Sequence, residues 1–382
     1  MKFDESQVAA IELALQGKDC IITGSAGTGK TSIIKAIVDK MKDSPHLCTP
    51  TGKASARLKE ATGYFAQTVH RLLGWTGDDF VSKPEPIKSP IIIDEASMAD
   101  SCLLSKVVEA NPPQIILVGD DAQLPPVGKG QPFHDLLKLR PHRVAKLTTC
   151  YRSQSAVHHA AQQIRAGEYP GLHSESGGEV WHMEDLPSAE AITTKIVNLI
   201  RADWWDAKTD IVLSPKHGAG GDENDGGIIA INKAIMLEVN PHTEDENWRI
   251  GDRVIITKNF SADDLWNGDL GTISDINYKG TPWLTLDRQR DKGPVNLSRE
   301  HMKEMKHAWC LSVHKSQGSQ FRRVVFVCLR EHRFMLSRSL IYTAITRAKE
   351  QCYVLGSLRA FANGIERIDA RQTIMQAKGG LI

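Results

Sequence analysis

The run Gly24-Ser25-Ala26-Gly27-Thr28-Gly29-Lys30-Thr31 joins a short apolar stretch, Cys20-Ile21-Ile22, to a segment with helical periodicity. In that strand–loop–helix setting, glycines let backbone N–H groups approach phosphate oxygens, and the helix start adds the positive end of its dipole. Gly24, Ala26, Gly27, Thr28 and Gly29 would line the phosphates. Lys30 would reach the β- and γ-phosphates, and the Thr31 hydroxyl would ligate Mg²⁺. The chemistry implied is binding of a nucleoside triphosphate. Asp94-Glu95 follows Ile91-Ile92-Ile93, which puts both carboxylates at the C-terminal end of a buried strand. Asp94 could hold Mg²⁺ there, and Glu95 could orient and deprotonate an attacking water. Gln123, within Gly119-Asp120-Asp121-Ala122-Gln123-Leu124-Pro125-Pro126-Val127, follows the next strong strand and could sense a γ-phosphate from a turn stiffened by two prolines.

The elements that must position these groups are legible from hydrophobic pattern. Ile91-Ile92-Ile93 and Ile115-Ile116-Leu117-Val118 are continuous rather than alternating, as expected of parallel strands buried on both faces. Ile33, Ile34, Ile37, Val38 and Met41 repeat at helical spacing behind the loop. Residues 1–148 therefore read as a doubly wound α/β domain. A second domain, 149–382, has the same texture at both ends, with strand candidates Ile211-Val212-Leu213, Val324-Val325-Phe326-Val327 and Tyr353-Val354-Leu355. Between 249 and 306 the pattern changes to short strands separated by Gly, Asn and Asp turns, which suggests a small antiparallel barrel inserted in the second domain. The Gly-rich, acidic stretch 218–227 reads as a loop.

Composition sets limits. A length of 382 residues fits two or three domains. A formal net charge of +1 carries no global signature of nucleic-acid binding, so any such surface must be a local groove. The seven cysteines form no C-x-x-C pair or zinc spacing, which fits a reducing compartment. The N-terminal residues lack the apolar core of a signal peptide and no run is long enough to span a bilayer, so a soluble cytoplasmic protein without membrane contact is expected.

Taken with Asp94-Glu95-Ala96-Ser97-Met98, the Gly119–Val127 string resembles the RecD-like and Dda-like (5′–3′) branch of superfamily 1 helicases. Further segments match in order. Phe3-Asp4-Glu5-Ser6-Gln7 is similar to the adenine-reading segment, with Gln7 as probe. Thr49-Pro50-Thr51-Gly52-Lys53-Ala54 and Thr68-Val69-His70-Arg71-Leu72-Leu73 are similar to strand-binding motifs. Tyr151-Arg152-Ser153 resembles the motif that sends an arginine to the γ-phosphate, and Val313-His314-Lys315-Ser316-Gln317-Gly318 and Tyr342-Thr343-Ala344-Ile345-Thr346-Arg347-Ala348-Lys349 complete the set. The resemblance runs from Phe3 to about Gly356. It implies two RecA-like parallel-sheet motor domains with a small SH3-like β-barrel insertion, ATP and Mg²⁺ as cofactors, and a DNA helicase moving 5′ to 3′ on single-stranded DNA. ATP would be hydrolysed between the two domains. A compact pair of motor domains on one chain implies a monomer, with single strands, single/double-strand junctions and replication or recombination proteins as partners.

On this reading Arg152 and Arg347 are the arginines that neutralise charge as the γ-phosphate departs, a role that can contribute about 10³–10⁵ in rate. Gln317 joins the nucleotide-binding set. Thr51, Lys53, Thr68, His70, Ser214 and His314 are the strand-contacting candidates, the hydroxyl and imidazole groups being able to bond phosphates. A short polar insertion, 76–89, occupies the place of a strand-separating pin, with Phe80 as its aromatic. In the inserted subdomain, Trp266 and Asn267 stand in the turn Trp266-Asn267-Gly268-Asp269-Leu270-Gly271-Thr272 and could face DNA. Trp204, Trp205 and Trp283 read as packing residues. Alternatives that the residues leave open are a single-strand-stimulated translocase or remodelling ATPase without robust unwinding, an RNA-directed motor, and a small-molecule phosphotransferase.

Overall fold

The computed structural model describes residues 3–75, 85–151, 155–218, 226–241 and 247–368. The chain divides into two compact units, the first running through the described residues to 151 and the second from 155 to 368.

The first unit is built on six parallel strands: β1 (Cys20–Gly24), β2 (His46–Thr49), β3 (Ala66–Thr68), β4 (Ile91–Ile93), β5 (Ile115–Gly119) and β6 (Val144–Leu147). Their spatial order is β3-β2-β4-β5-β1-β6. The continuous apolar runs are explained by what covers each face. Ile22, Ile92, Ile116 and Val118 pack into one cluster with Ala10, Ile33, Ile37 and Leu58 from helices α1 (Glu5–Ala14), α2 (Lys30–Lys40) and α3 (Gly52–Thr62). Ile21, Ile91, Ile93 and Leu117 point the other way, against Val69 of α4 (Val69–Leu72), Leu103 and Val107 of the helix Ser101–Glu109, and Phe133. Both faces are apolar because both are covered.

The second unit holds six strands in the order β15-β9-β16-β17-β8-β7. Here β7 is His173–Ser176, β8 Glu179–Asp185, β9 Ile211–Ser214, β15 Cys310–Ser312, β16 Phe321–Cys328 and β17 Ala348–Gly356. All pairs are parallel except β7 with β8, an antiparallel edge hairpin that the hydrophobic pattern did not announce because its edge strand is mostly exposed. Trp205 is buried and Trp204 half-buried in the cluster of the helices Ala189–Arg201 and Ile228–Val239, the packing role expected of them. Trp283 is only half-buried.

Between β9 and β15 lies a separate antiparallel sheet, β13-β12-β11-β10-β14, made of β10 (Arg253–Ile256), β11 (Leu270–Ile276), β12 (Pro282–Leu286), β13 (Val295–Asn296) and β14 (Met305–His307). Short strands and tight turns are where the sequence puts them, around a core of Val254, Ile256, Ile273, Leu284 and Leu286. The expected closed barrel is an open sheet among the described residues: β13 is two residues long and pairs with β12 alone. No described helix is long and apolar enough to cross a membrane.

Candidate active site

Because β4, β5 and β1 are adjacent and parallel, the segments that leave their C-terminal ends share one edge of the sheet. That edge collects the phosphate loop, Asp94-Glu95 and the Gln123 segment. β1 is buried throughout and ends at Gly24, where a Cβ would fall 2.5 Å from Thr28 Oγ1 and 2.9 Å from Leu147 Cβ. Only glycine lets the strand pass into the loop there. Gly29 adopts φ 81° and turns the chain into α2, whose first residue is Lys30. The Lys30 ammonium donates to the Gly24 and Ser25 carbonyls at 2.7 and 3.0 Å, which keeps its charge on the loop. Thr28 Oγ1 donates to the Ser25 carbonyl at 2.9 Å. Ala26 and Gly27 accept from the chain that follows β6, Ala26 from the Cys150 thiol and Gly27 from the Tyr151 N–H. Thr31 is the second residue of α2.

The loop is braced from α1. Asp4 and Gln7 cap each other's backbone N–H at the start of that helix, a reciprocal capping box. Buried Gln7 also donates from Nε2 to the Thr28 carbonyl at 3.0 Å. The Tyr151 hydroxyl lies 2.8 Å from Asp4 Oδ2 and 2.9 Å from Gln7 Oε1 and shares its proton between them. Desolvation pulls the Asp4 carboxyl upward, but hydrogen bonds from Ser6, the Gln7 N–H, Tyr151 and Thr149 outweigh it and hold the group at about 2. The Asp-x-x-Gln spacing could have announced the capping box. Nothing in the sequence announces Tyr151 as its partner, 147 residues away from Asp4.

Glu95 is the most unusual position. It takes φ 53° and ψ 36° ahead of a short turn, Ala96–Met98, a left-handed conformation that costs a non-glycine residue about 1–3 kcal/mol. Its Oε2 is buried without a hydrogen-bond partner, and so is Oε1 of buried Gln123. Several buried polar atoms of the protein lack a partner, but these two acceptors stand together at adjacent strand ends beside the phosphate loop, one of them on strained backbone, where a ligand could satisfy them. Asp94 accepts the Glu95 N–H at 2.9 Å. Burial and then the Glu95 carboxylate push the Asp94 carboxyl up, while Lys30 and Arg57 pull it down. A cation beside Asp94 would relieve this. Among the described residues no group of three or more His, Cys, Asp or Glu side chains could hold a metal ion. The residues fit Mg²⁺ with a triphosphate.

The strand candidates of this unit follow β2 and β3 at the same edge. Thr51 caps α3 by accepting the Ala54 N–H at 3.3 Å, and Thr68 caps α4 by accepting the Arg71 N–H at 3.1 Å. A capping threonine spends a lone pair and keeps its O–H. Lys53 lies in the first turn of α3. His70 is half-buried with its ring edge-on to Trp75 at 5.6 Å, and burial lowers its pKa against the opposing Asp100 carboxylate.

In the second unit, Arg347 is buried and donates to the Thr343 carbonyl (3.0 Å), the Ser319 carbonyl (3.1 Å) and Thr346 Oγ1 (3.3 Å). Gln317 is buried with Nε2 unpaired, and His314 is exposed on the turn before it. Trp266 is half-buried with its indole N–H on Asp264, and Asn267 is exposed. Their turn is anchored where Arg288 grips buried Asp269 through two bonds of 2.9 and 3.0 Å. Ser214 is a correction. It is fully buried, and its hydroxyl donates to the Gly226 carbonyl at 3.1 Å while accepting from the Lys216 N–H, so it closes a loop and has no face for a strand. Phe80 and Arg152 lie outside the described residues.

A phosphate cradle with unsatisfied acceptors at the edge of a doubly covered parallel sheet defines a P-loop nucleoside triphosphatase. A family model described as an AAA domain matches residues 2–181, and one described as a UvrD-like helicase C-terminal domain matches residues 307–355. The RecD subunit of the RecBCD enzyme of Mycolicibacterium smegmatis is 30% identical, over 97% of this chain and 74% of that protein. The ATP-dependent RecD2 DNA helicase of Deinococcus radiodurans is also 30% identical over 97% of this chain, which spans 52% of that protein's length. The fold is similar to Pif1 helicase from Candida albicans (TM-score 0.56, 20% identity, 95% of this chain and 96% of that one). It is similar too to Bacteroides Pif1 bound to single-stranded DNA (TM-score 0.56, 19% identity, 92% of each chain). The chain belongs to the RecD-like family of superfamily 1 helicases.

Proposed function

We propose that this chain is an ATP-dependent DNA helicase that moves 5′ to 3′ on single-stranded DNA and separates duplex ahead of it. The observation that carries the chemistry is the pair of orphaned acceptors, Glu95 Oε2 and Gln123 Oε1, at the sheet edge that bears the phosphate loop. Membership of the RecD-like family carries the substrate and the polarity.

Loop N–H groups and Lys30 hold the phosphates, and the remaining Nε2–H of Gln7 suits an acceptor such as N7 of adenine. Glu95 takes the proton of the attacking water, and Gln123 reports the γ-phosphate. Thr31 and Asp94 would hold Mg²⁺, which supplies charge neutralisation on the phosphates. Arg347, with Arg152, is assigned to the γ-phosphate, and Gln317 to the nucleotide. Thr51, Lys53, Thr68, His70, His314, Trp266 and Asn267 are assigned to the strand, and Phe80 to the fork. The two units act as motor domains of a monomer working in the cytoplasm on single strands and junctions, alongside replication or recombination proteins.

The test is ATP-dependent strand displacement on partial duplexes with a 5′ or a 3′ tail, with Lys30→Ala protein beside the wild type. Displacement from the 5′ tail alone, lost with Lys30→Ala, is the expected result. Hydrolysis stimulated by single strands without displacement from either tail would leave a translocase. Hydrolysis indifferent to any strand would sink the reading.

A further inference from the structure

The side chain assigned to the base is held so firmly that its remaining hydrogen-bonding capacity can be counted. Two backbone groups fix which way the Gln7 amide faces. The Thr28 carbonyl only accepts, so Nε2 stands on its side, at 3.0 Å. The Asp4 N–H only donates, so Oε1 stands on its side, at 3.2 Å. A Cβ on Gly29 would fall 2.8 Å from Nε2, so the amide packs directly on the phosphate loop. Oε1 meets a second partner in the Tyr151 hydroxyl, 2.9 Å away. Tyr151 is itself tied at both ends. Its N–H donates to the Gly27 carbonyl at 3.1 Å, and its hydroxyl also reaches Asp4 Oδ2 at 2.8 Å. Beside it the Cys150 thiol donates to the Ala26 carbonyl at 3.4 Å and the Thr148 N–H to Ser6 Oγ at 3.3 Å, which stitches this segment to the loop and to α1.

We infer that Gln7 reads a purine rather than adenine alone, and that Tyr151 is the positioning residue, acting through Gln7, that sets this breadth. The inference rests on the triphosphatase reading proposed above and deepens it by naming the class of base. An amide reads adenine in full by donating to N7 and accepting from the 6-amine. Here the accepting half is already occupied. The Asp4 N–H takes one lone pair of Oε1, and the Tyr151 oxygen stands at the other whichever of its two acceptors holds the proton. What remains on Gln7, among the described residues, is one N–H of Nε2, which is a donor. N7 accepts in adenine and guanine alike, and pyrimidines have no N7. The 6-amine of adenine and the 6-oxo group of guanine go unread by Gln7, so the substrates are purine nucleoside triphosphates, GTP as well as ATP.

The test measures phosphate release by the full chain with ATP, GTP, CTP, purine riboside triphosphate (ATP without the 6-amine) and 7-deaza-ATP, in which a C–H replaces N7. In the wild type, kcat/KM should agree within about fivefold for ATP, GTP and the purine riboside, and fall about tenfold for 7-deaza-ATP and CTP, the order of one hydrogen bond. Tyr151→Phe keeps the ring but removes the hydroxyl, which frees a lone pair of Oε1 for the 6-amine. It should raise the preference for ATP over both GTP and the purine riboside by about tenfold. A merely structural role would lower every substrate together and leave these ratios as they are, and that result would overturn the part given to Tyr151. A wild-type preference for ATP over GTP or the purine riboside beyond the fivefold margin, about the effect of one hydrogen bond, would overturn the purine reading. So would 7-deaza-ATP turned over as well as ATP. These wild-type measurements carry the test should Tyr151→Phe fail to fold. Failure of the proposed function looks different: no triphosphate would be hydrolysed, or Lys30→Ala protein would hydrolyse them as well as the wild type.

Discussion

At the scale of single residues, the site concentrates cost where chemistry is expected. Glu95 combines left-handed backbone with an unpaired, buried carboxylate oxygen, and no gain in stability explains either. Replacing it by glutamine keeps backbone, volume and strain but removes the base. Glu95→Gln should lower turnover by about 10²–10⁴ with ATP still bound and strand affinity raised, checked by steady-state hydrolysis and nucleotide binding. A variant with normal turnover would show that another group takes the proton. Asp4 makes a different prediction. Held at about 2, below the ordinary carboxyl value of 3.8, its ionised form is favoured by folding. Such a group stabilises the protein above the unfolded value, and the contribution is lost as pH falls through the folded one. Thermal unfolding should find wild type more stable than Asp4→Asn at pH 6, with the difference shrinking between about pH 4 and pH 2.

At the scale of elements, the two threonines that cap α3 and α4 are also side chains that the proposed function assigns to the strand. The two uses can be separated. Aspartate caps a helix as well as threonine does but carries a negative charge, whereas alanine loses the cap at a cost of about 1 kcal/mol. Thr51→Asp should therefore keep the thermal midpoint and lose strand binding, while Thr51→Ala should lower the midpoint and weaken binding less. Equal strand affinity in wild type and Thr51→Asp would remove Thr51 from the strand site. Element by element, β1, β4, β5, β9, β16 and β17 were legible because strands buried on both faces read as unbroken apolar runs, whereas the short or partly exposed β2, β3, β6, β8 and β15 carried no such run. The hairpin β7–β8 was not legible, since a mostly exposed edge carries no such signal. The inserted segment shows a middle case: turns and short strands are local properties and came through, but closure depends on pairing between its ends, which no local pattern encodes.

For the molecule as a whole, a net charge of +1 leaves no long-range field to gather a polyanion. Strand binding must rest on a few local contacts. With three or four phosphates neutralised, log affinity for oligo(dT) should fall against log salt with a slope of about −2 to −3, measured by anisotropy. A much steeper slope would point to a basic surface beyond the residues named above.

Read alone, the sequence determined the phosphate loop, the acidic pair, the glutamine after β5 and the apolar strands that carry them. All of these are set by short spacings and by apolar runs, which are local. Tertiary structure alone decided what those groups face. It joined Tyr151 to Asp4 and Gln7, used Ser214 to close a loop and left Glu95 and Gln123 unpaired. These depend on contacts between residues far apart in the chain, and the chain settles them only when its strands are laid side by side.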